Sequence, residues 1–158
     1  MSIVLYRIDD RLIHGQVVIG WGRPLGIEFI VLVDSDVSRS EWEQELYRMA
    51  VPRAVEVVFA DVDQARARLP EWQADSRRGI LLTGTVETMA AIRGNGGPAI
   101  PKINLGGIHH RPGRRQRLPY VYLTDDEYRT LLALKEDGIE ITAQDVPTAR
   151  AVGLSGLA

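Results

Sequence analysis

Three histidines supply all the imidazole in this chain, and there is no cysteine. One of them, His14, ends a charged run, Arg7-Ile8-Asp9-Asp10-Arg11-Leu12-Ile13-His14, followed by Gly15-Gln16. These residue types suit phosphoryl transfer to histidine. The imidazole must be neutral to attack, and a neighbouring cation favours the neutral form. The transferred group spreads negative charge over its oxygens, which calls for arginine and backbone N–H donors. A helix start offers such N–H groups and a favourable dipole. A carboxylate fixes the ring tautomer or orients an arginine. His14 as acceptor, Arg11 and Asp10 beside it, and a helix starting at Gly15–Gln16 meet these needs. Arg7 lies in the same segment, and either Asp9 or Asp10 is suited to orient the ring or an arginine. The same charges on a solvated loop make an ordinary surface ion-pair network worth little. Spacing alone leaves both readings open.

Strands and helices must position this segment. Ile3–Ile8 reads as a strand that ends in charges, and Asp9–Gly15 as the loop behind it. Gln16–Trp21 starts a helix that Gly22 and Pro24 stop. Phe29–Val33 is a continuous apolar run, as in a strand buried on both faces. Ser38 or Ser40 caps a helix through Ala50, ended by Pro52. Val55–Phe59 reads as a strand, Val62–Leu69 as a helix capped by Asp61, Ile80–Thr83 as a strand, and about Val86 to Ile92 as a helix that Thr85 caps. Gly94-Asn95-Gly96-Gly97-Pro98 is a loop. Ile103–Leu105 and Tyr120–Leu123 are short strands. Thr124 with Glu127 forms a capping box for a helix to about Glu136, and Ile139–Thr142 is a last strand. This alternation predicts an α/β fold, an open, mainly parallel twisted sheet with helices on both faces, as a single domain over residues 1–158.

In such sheets ligands sit at the carboxyl ends of strands. That rule selects Asp9–Gly15 and a second loop, Gly106–Arg115. In the second, Asn104, Gly106 and Gly107 have the makings of a backbone nest for an anion, and a bland Gly-Gly turn is an equal reading. His109-His110 is a poor metal site, because adjacent residues rarely chelate one ion, and a surface or packing role is expected instead. Arg111, Arg114, Arg115 and Arg117 make the loop basic. The tryptophans Trp21, Trp42 and Trp72 read as packing groups.

The composition narrows the function. The formal net charge is −2, with 45% hydrophobic and 25% charged residues, which describes a globular protein without the basic surface that bulk nucleic-acid binding needs. Lack of cysteine excludes thiol nucleophiles and disulfides. No run is long and apolar enough to span a bilayer, and no signal peptide is visible, so a cytoplasmic protein without direct membrane insertion is expected. Neither a P-loop nor a Gly-x-Gly-x-x-Gly fingerprint follows a strand, so no nucleotide cofactor is expected, and no metal either.

Arg7-Ile8-Asp9-Asp10-Arg11-Leu12-Ile13-His14-Gly15-Gln16-Val17 resembles the active-site segment of the IIB components of the mannose/fructose/sorbose family of the sugar phosphotransferase system. The resemblance extends through Val31-Leu32-Val33-Asp34, Ala50-Val51-Pro52, Asn104-Leu105-Gly106-Gly107 and Gly138 to Pro147. It implies that His14 is phosphorylated on Nδ1 by a histidine of a IIA partner, that Arg11 steadies the phosphoryl group, and that the group moves on to a sugar bound by IIC and IID membrane partners. It further implies a phosphate site bordered by Arg7, Gly15, Gln16, Asn104, Gly106 and Gly107, and a protein peripherally associated with its membrane transporter. The match starts at the first strand, so the IIA function is expected on a separate chain. The basic Ile108–Arg115 stretch is richer in arginine than the resemblance leads one to expect. Two rival readings remain: a non-catalytic module on this fold that senses an anion or a phosphoprotein, and, more weakly, a hydrolase with His14 as general base.

Overall fold

The structure is a computed structural model, and it describes residues 2–158. The parallel strands are β1 (Ile3–Ile8), β2 (Phe29–Val33), β3 (Glu56–Ala60), β4 (Gly79–Thr83) and β5 (Lys102–Leu105). A separate antiparallel hairpin follows, β6 (Arg115–Leu118) with β7 (Val121–Leu123). Strand β8 (Glu140–Ala143) rejoins the main sheet in parallel, and the short β9 (Val152–Gly153) closes it antiparallel. The sheet order is β3-β2-β4-β1-β5-β8-β9. The chain leaves β1 toward one side and later returns to the other. The carboxyl end of β1 is therefore a point where the winding reverses, the place where such sheets leave a crevice.

Every residue of β2 and β4 is buried, which explains why both read as unbroken apolar runs. Their side chains split between two layers. Phe29, Val31, Val33 and Leu81 meet α3 (Val62–Gln73), α4 (Val86–Arg93) and α5 (Asp125–Glu136) through Leu69, Trp72, Met89, Ile92 and Leu131. Ile30, Leu32, Ile80 and Leu82 face the opposite layer, where Val17, Val18 and Trp21 pack. That layer holds Gln16–Trp21, α1 (Gly22–Leu25) and α2 (Glu41–Met49). Helices thus lie on both faces of a mainly parallel sheet, as the alternation predicts.

Several local expectations change. Helix α3 runs through Pro70 to Gln73, because the apolar series Ala65, Leu69, Trp72 continues past the proline into the core. Gln16–Trp21 is a π-helical turn, with the Gly22 N–H bonded back to the Val17 carbonyl. Ser40 occupies the position before α2 but its hydroxyl makes no capping bond. The hairpin strand β6 and the edge strand β9 carry no alternating apolar pattern that would announce them. The capping boxes at Asp61/Gln64 and Thr124/Glu127 form, and Thr85 caps α4.

Candidate functional site

The loop after β1 doubles back at once. The Leu12 N–H bonds to the Asp9 carbonyl at 3.0 Å, and Leu12 takes a left-handed φ of 61°. A leucine there costs about 1–3 kcal/mol, which the surrounding packing must offset. Gly84, at the end of β4, makes the room: a Cβ on it would stand 2.9 Å from Leu12 Cδ2. The turn swings His14 back over the end of its own strand.

There the chain converges on Asp9, whose side chain is fully buried. Its Oδ2 lies 3.1 Å from Arg7 Nη2, 3.1 Å from Arg11 Nη2 and 3.3 Å from His14 Nε2. The Gly107 N–H donates to the same oxygen at 3.2 Å, while the backbone N–H and Nε of Arg11 donate to Oδ1 at 3.2 and 3.1 Å. Burial alone would raise the Asp9 carboxyl, but the close His14 ring nitrogen, hydrogen bonding from Arg11 and the charge of Arg7 reverse this and hold it well below the usual carboxylate range.

His14 is held at both ring nitrogens. Nε2 is buried against Asp9, close but imperfectly aligned for a hydrogen bond. Nδ1 accepts from the Gln16 N–H at 3.3 Å. A carboxylate beside Nε2 favours the tautomer with its proton there and leaves the lone pair on Nδ1. The ring is only partly open: its side chain is 19% exposed, on atoms other than Nε2. The Arg11 guanidinium is 35% exposed and is steadied by Gln16 Oε1 at 2.7 Å. An imidazole whose Nδ1 meets only a long N–H contact, beside a partly open guanidinium and backed by an anion, has the groups that accepting a phosphoryl group requires.

The remaining expected residues lie elsewhere. Arg7 is not open to a phosphate. It is completely buried, bonded to Asn104 Oδ1, to the Gln144 and Asp145 carbonyls at 2.9 and 3.0 Å and to Asp9, with its guanidinium 5.0 Å from the centre of the Trp21 ring. Asn104 is buried and committed to Arg7, so it too is removed from any phosphate. Gly106 and Gly107 form no anion nest, because their N–H groups bond to the Ile8 carbonyl and to Asp9. What they supply is absent bulk. A Cβ on Gly106 would lie 2.2 Å from Arg7 Nη2, and one on Gly107 would lie 3.1 Å from Arg11 Nη2. Asp10 turns away from His14 and pairs with His109, so the carboxylate facing the ring is that of Asp9. Gly15 is exposed, with nothing within 4 Å of where a Cβ would stand.

The basic loop is divided: Arg111 and Arg115 are exposed, whereas Arg114 and Arg117 turn inward. Arg114 pairs with Glu127 at 2.8 Å, side chains 6% and 4% exposed, and Arg117 bonds the Leu157 and Leu123 carbonyls. His110 packs edge-on against Tyr122. Sequence reasoning missed the Trp21–Arg7 stack and the part played by the Gln144–Asp145 backbone. It saw Glu127 only as a cap, and no local signal announced its partner.

Residues 3–157 match the family described as "PTS system sorbose subfamily IIB component". The sorbose-specific EIIB component of Lacticaseibacillus casei is 31% identical over 150 residues, covering 94% of this chain and 90% of that protein. The mannose-specific EIIAB component of Escherichia coli (strain K12) is 30% identical over 149 residues, covering 94% of this chain and 46% of that protein. The crystal structure of the IIBSor domain of the sorbose permease from Klebsiella pneumoniae superposes with a TM-score of 0.87 at 28% identity, covering 99% of this chain and 96% of that one. With a family match over nearly its whole length and the same fold in its relatives, the chain belongs to the IIB components of the mannose/fructose/sorbose family of the sugar phosphotransferase system.

Proposed function

We propose that His14 carries the phosphoryl group: its Nδ1 takes the group from a histidine of a IIA partner and passes it to a sugar entering through IIC and IID membrane partners. The protein then acts as a protein-histidine–sugar phosphotransferase, peripherally associated with its transporter. The observation that carries this reading is the orientation of the ring, with Nε2 3.3 Å from Asp9 and Nδ1 facing the Gln16 N–H at 3.3 Å. In the transfer the donor's N–P bond breaks as the Nδ1–P bond forms, through a loose, metaphosphate-like state. The accepting ring becomes cationic, and the Asp9 anion behind Nε2 stabilises it. Arg11 meets the phosphoryl oxygens, and the long Gln16 N–H contact is weak enough to pass from Nδ1 to one of them. A relative named EIIAB agrees with a IIA donor, since that name joins the A and B functions in one protein.

The test is incubation with phosphoenolpyruvate, the general phosphotransfer proteins and the cognate IIA. The expected product carries one acid-labile, base-stable phosphate that His14→Ala abolishes. Label persisting in His14→Ala overturns the assignment. A stable complex with IIA but no phosphate turnover makes the chain a sensing module instead.

A further inference from the structure

The two adjacent aspartates of the β1 loop have opposite surroundings. Asp9 faces His14 and Arg11. Asp10 has both carboxylate oxygens taken by one residue of the other loop: the His109 N–H donates to Oδ2 at 2.7 Å, and His109 Nδ1 stands 2.6 Å from Oδ1. So short a contact requires the proton on Nδ1, because a ring lone pair would repel the carboxylate. The His109 side chain is 58% exposed, so core packing does not explain its place. The loop it sits on is tied down from both sides. The Asp10 N–H bonds the Gly107 carbonyl at 2.8 Å, and Arg114 donates to the His109 carbonyl at 2.9 Å while its other nitrogens grip Glu127 on α5.

We propose that His109 is a positioning residue for phosphoryl transfer, which pins the Asp10 carboxylate away from the Arg11 guanidinium and the phosphoryl group. This rests on the reading of His14 given above. The physical need is plain. Asp10 is already close enough for its charge to act on Arg11. An unpinned carboxylate one residue from Arg11 competes with the phosphoryl oxygens for the same donors and repels the incoming anion. One carboxylate behind the ring assists, and a second in front obstructs.

The experiment compares the wild type, His109→Ala, His109→Asn, Asp10→Asn and the double variant Asp10→Asn/His109→Ala in a single-turnover transfer from phosphorylated IIA, with melting curves to confirm the fold. His109→Ala is expected to slow transfer about tenfold, the scale of one weakened charge-assisted contact. His109→Asn restores most of the rate, because the asparagine Nδ2 sits where the imidazole Nδ1 was. The double variant also recovers, because a neutral Asp10 replacement no longer draws on Arg11. A loss of loop structure alone would leave the double variant no faster than His109→Ala. Independently of any transfer, the His109 Nδ1 proton of the wild type should give a downfield NMR signal that Asp10→Asn removes. Wild-type transfer by His109→Ala, or no recovery in the double variant, overturns the proposal while leaving His14 phosphorylation intact. Loss of the His14 reading shows separately, as phosphate retained by His14→Ala.

Discussion

Replacing Asp9 by asparagine removes one charge from the centre of the site and leaves its shape nearly unchanged. The cost follows from what remains. Arg7 is fully buried and has Asp9 as its counter-charge at 3.1 Å. Breaking such a pair by removing one partner costs about 3–5 kcal/mol. The contribution from Arg11 is smaller, because that guanidinium is 35% exposed and water screens it. For a chain of 158 residues, each kcal/mol lowers Tm by about 2–4 °C, so Asp9→Asn should melt roughly 6–20 °C below the parent at pH 7. Acid supplies a second readout. The folded state holds the Asp9 carboxyl below its unfolded value, so its contribution is complete above the ordinary carboxylate pKa and is lost as pH falls through the folded one. The gap between parent and variant should therefore narrow below about pH 4. Circular dichroism melts from pH 7 to pH 2 check both points, with Asp10→Asn as the comparison, since that change leaves no buried cation behind. An Asp9→Asn protein that melts within about 2 °C of the parent at pH 7 would refute the argument that Arg7 depends on this anion.

Arg11→Ala should keep the fold and slow phosphoryl transfer about 10²–10³-fold, the usual scale for one donor to a developing charge, as measured by single-turnover labelling. The two neighbouring glycines should respond differently to the same methyl group. Gly106→Ala collides with the buried Arg7–Asp9 pair and should cost about 3 kcal/mol or more, whereas Gly107→Ala meets only the movable end of Arg11 and should lower transfer with Tm nearly unchanged. Glu127→Gln keeps the side chain that caps α5 but removes the counter-charge of the buried Arg114, so urea unfolding should show a loss of about 3 kcal/mol.

The parts of this protein governed by local rules could be read in its sequence. The apolar runs at 29–33 and 80–83 announced buried parallel strands, and Asp61 and Thr124 announced helix starts. The charged segment ending in His14 lies behind the first strand, at its carboxyl end, as the pattern predicted. What could not be read was the partner of each polar group, since that depends on contacts made across the sheet. Arg7 is bonded by residues 104, 144 and 145, and nothing near position 7 says that it is buried. Asp9 and Asp10 are adjacent and chemically identical, and their partners across the fold, Arg7 and Gly107 for one and His109 for the other, separate them. Asn104, Gly106 and Gly107 lie against Arg7, Asp9 and Arg11, with their polar groups already bonded within the protein. Four arginines made the second loop read as basic, but Arg114 is consumed by Glu127 and Arg117 by the carbonyls of Leu123 and Leu157, partners that no local pattern pairs with them.

Arg7 joins the first strand to the segment that follows the eighth, through the Gln144 and Asp145 carbonyls, and Trp21 fastens to that same Asp145 carbonyl at 3.0 Å. The geometry around His14 is thus completed only by residues more than a hundred positions further along the chain. A nick or local opening between β8 and β9 would silence the imidazole while most of the sheet stayed intact, so loss of activity on heating or limited proteolysis should run ahead of global melting. An emerging chain likewise lacks this arrangement around His14 until the segment after β8 has docked.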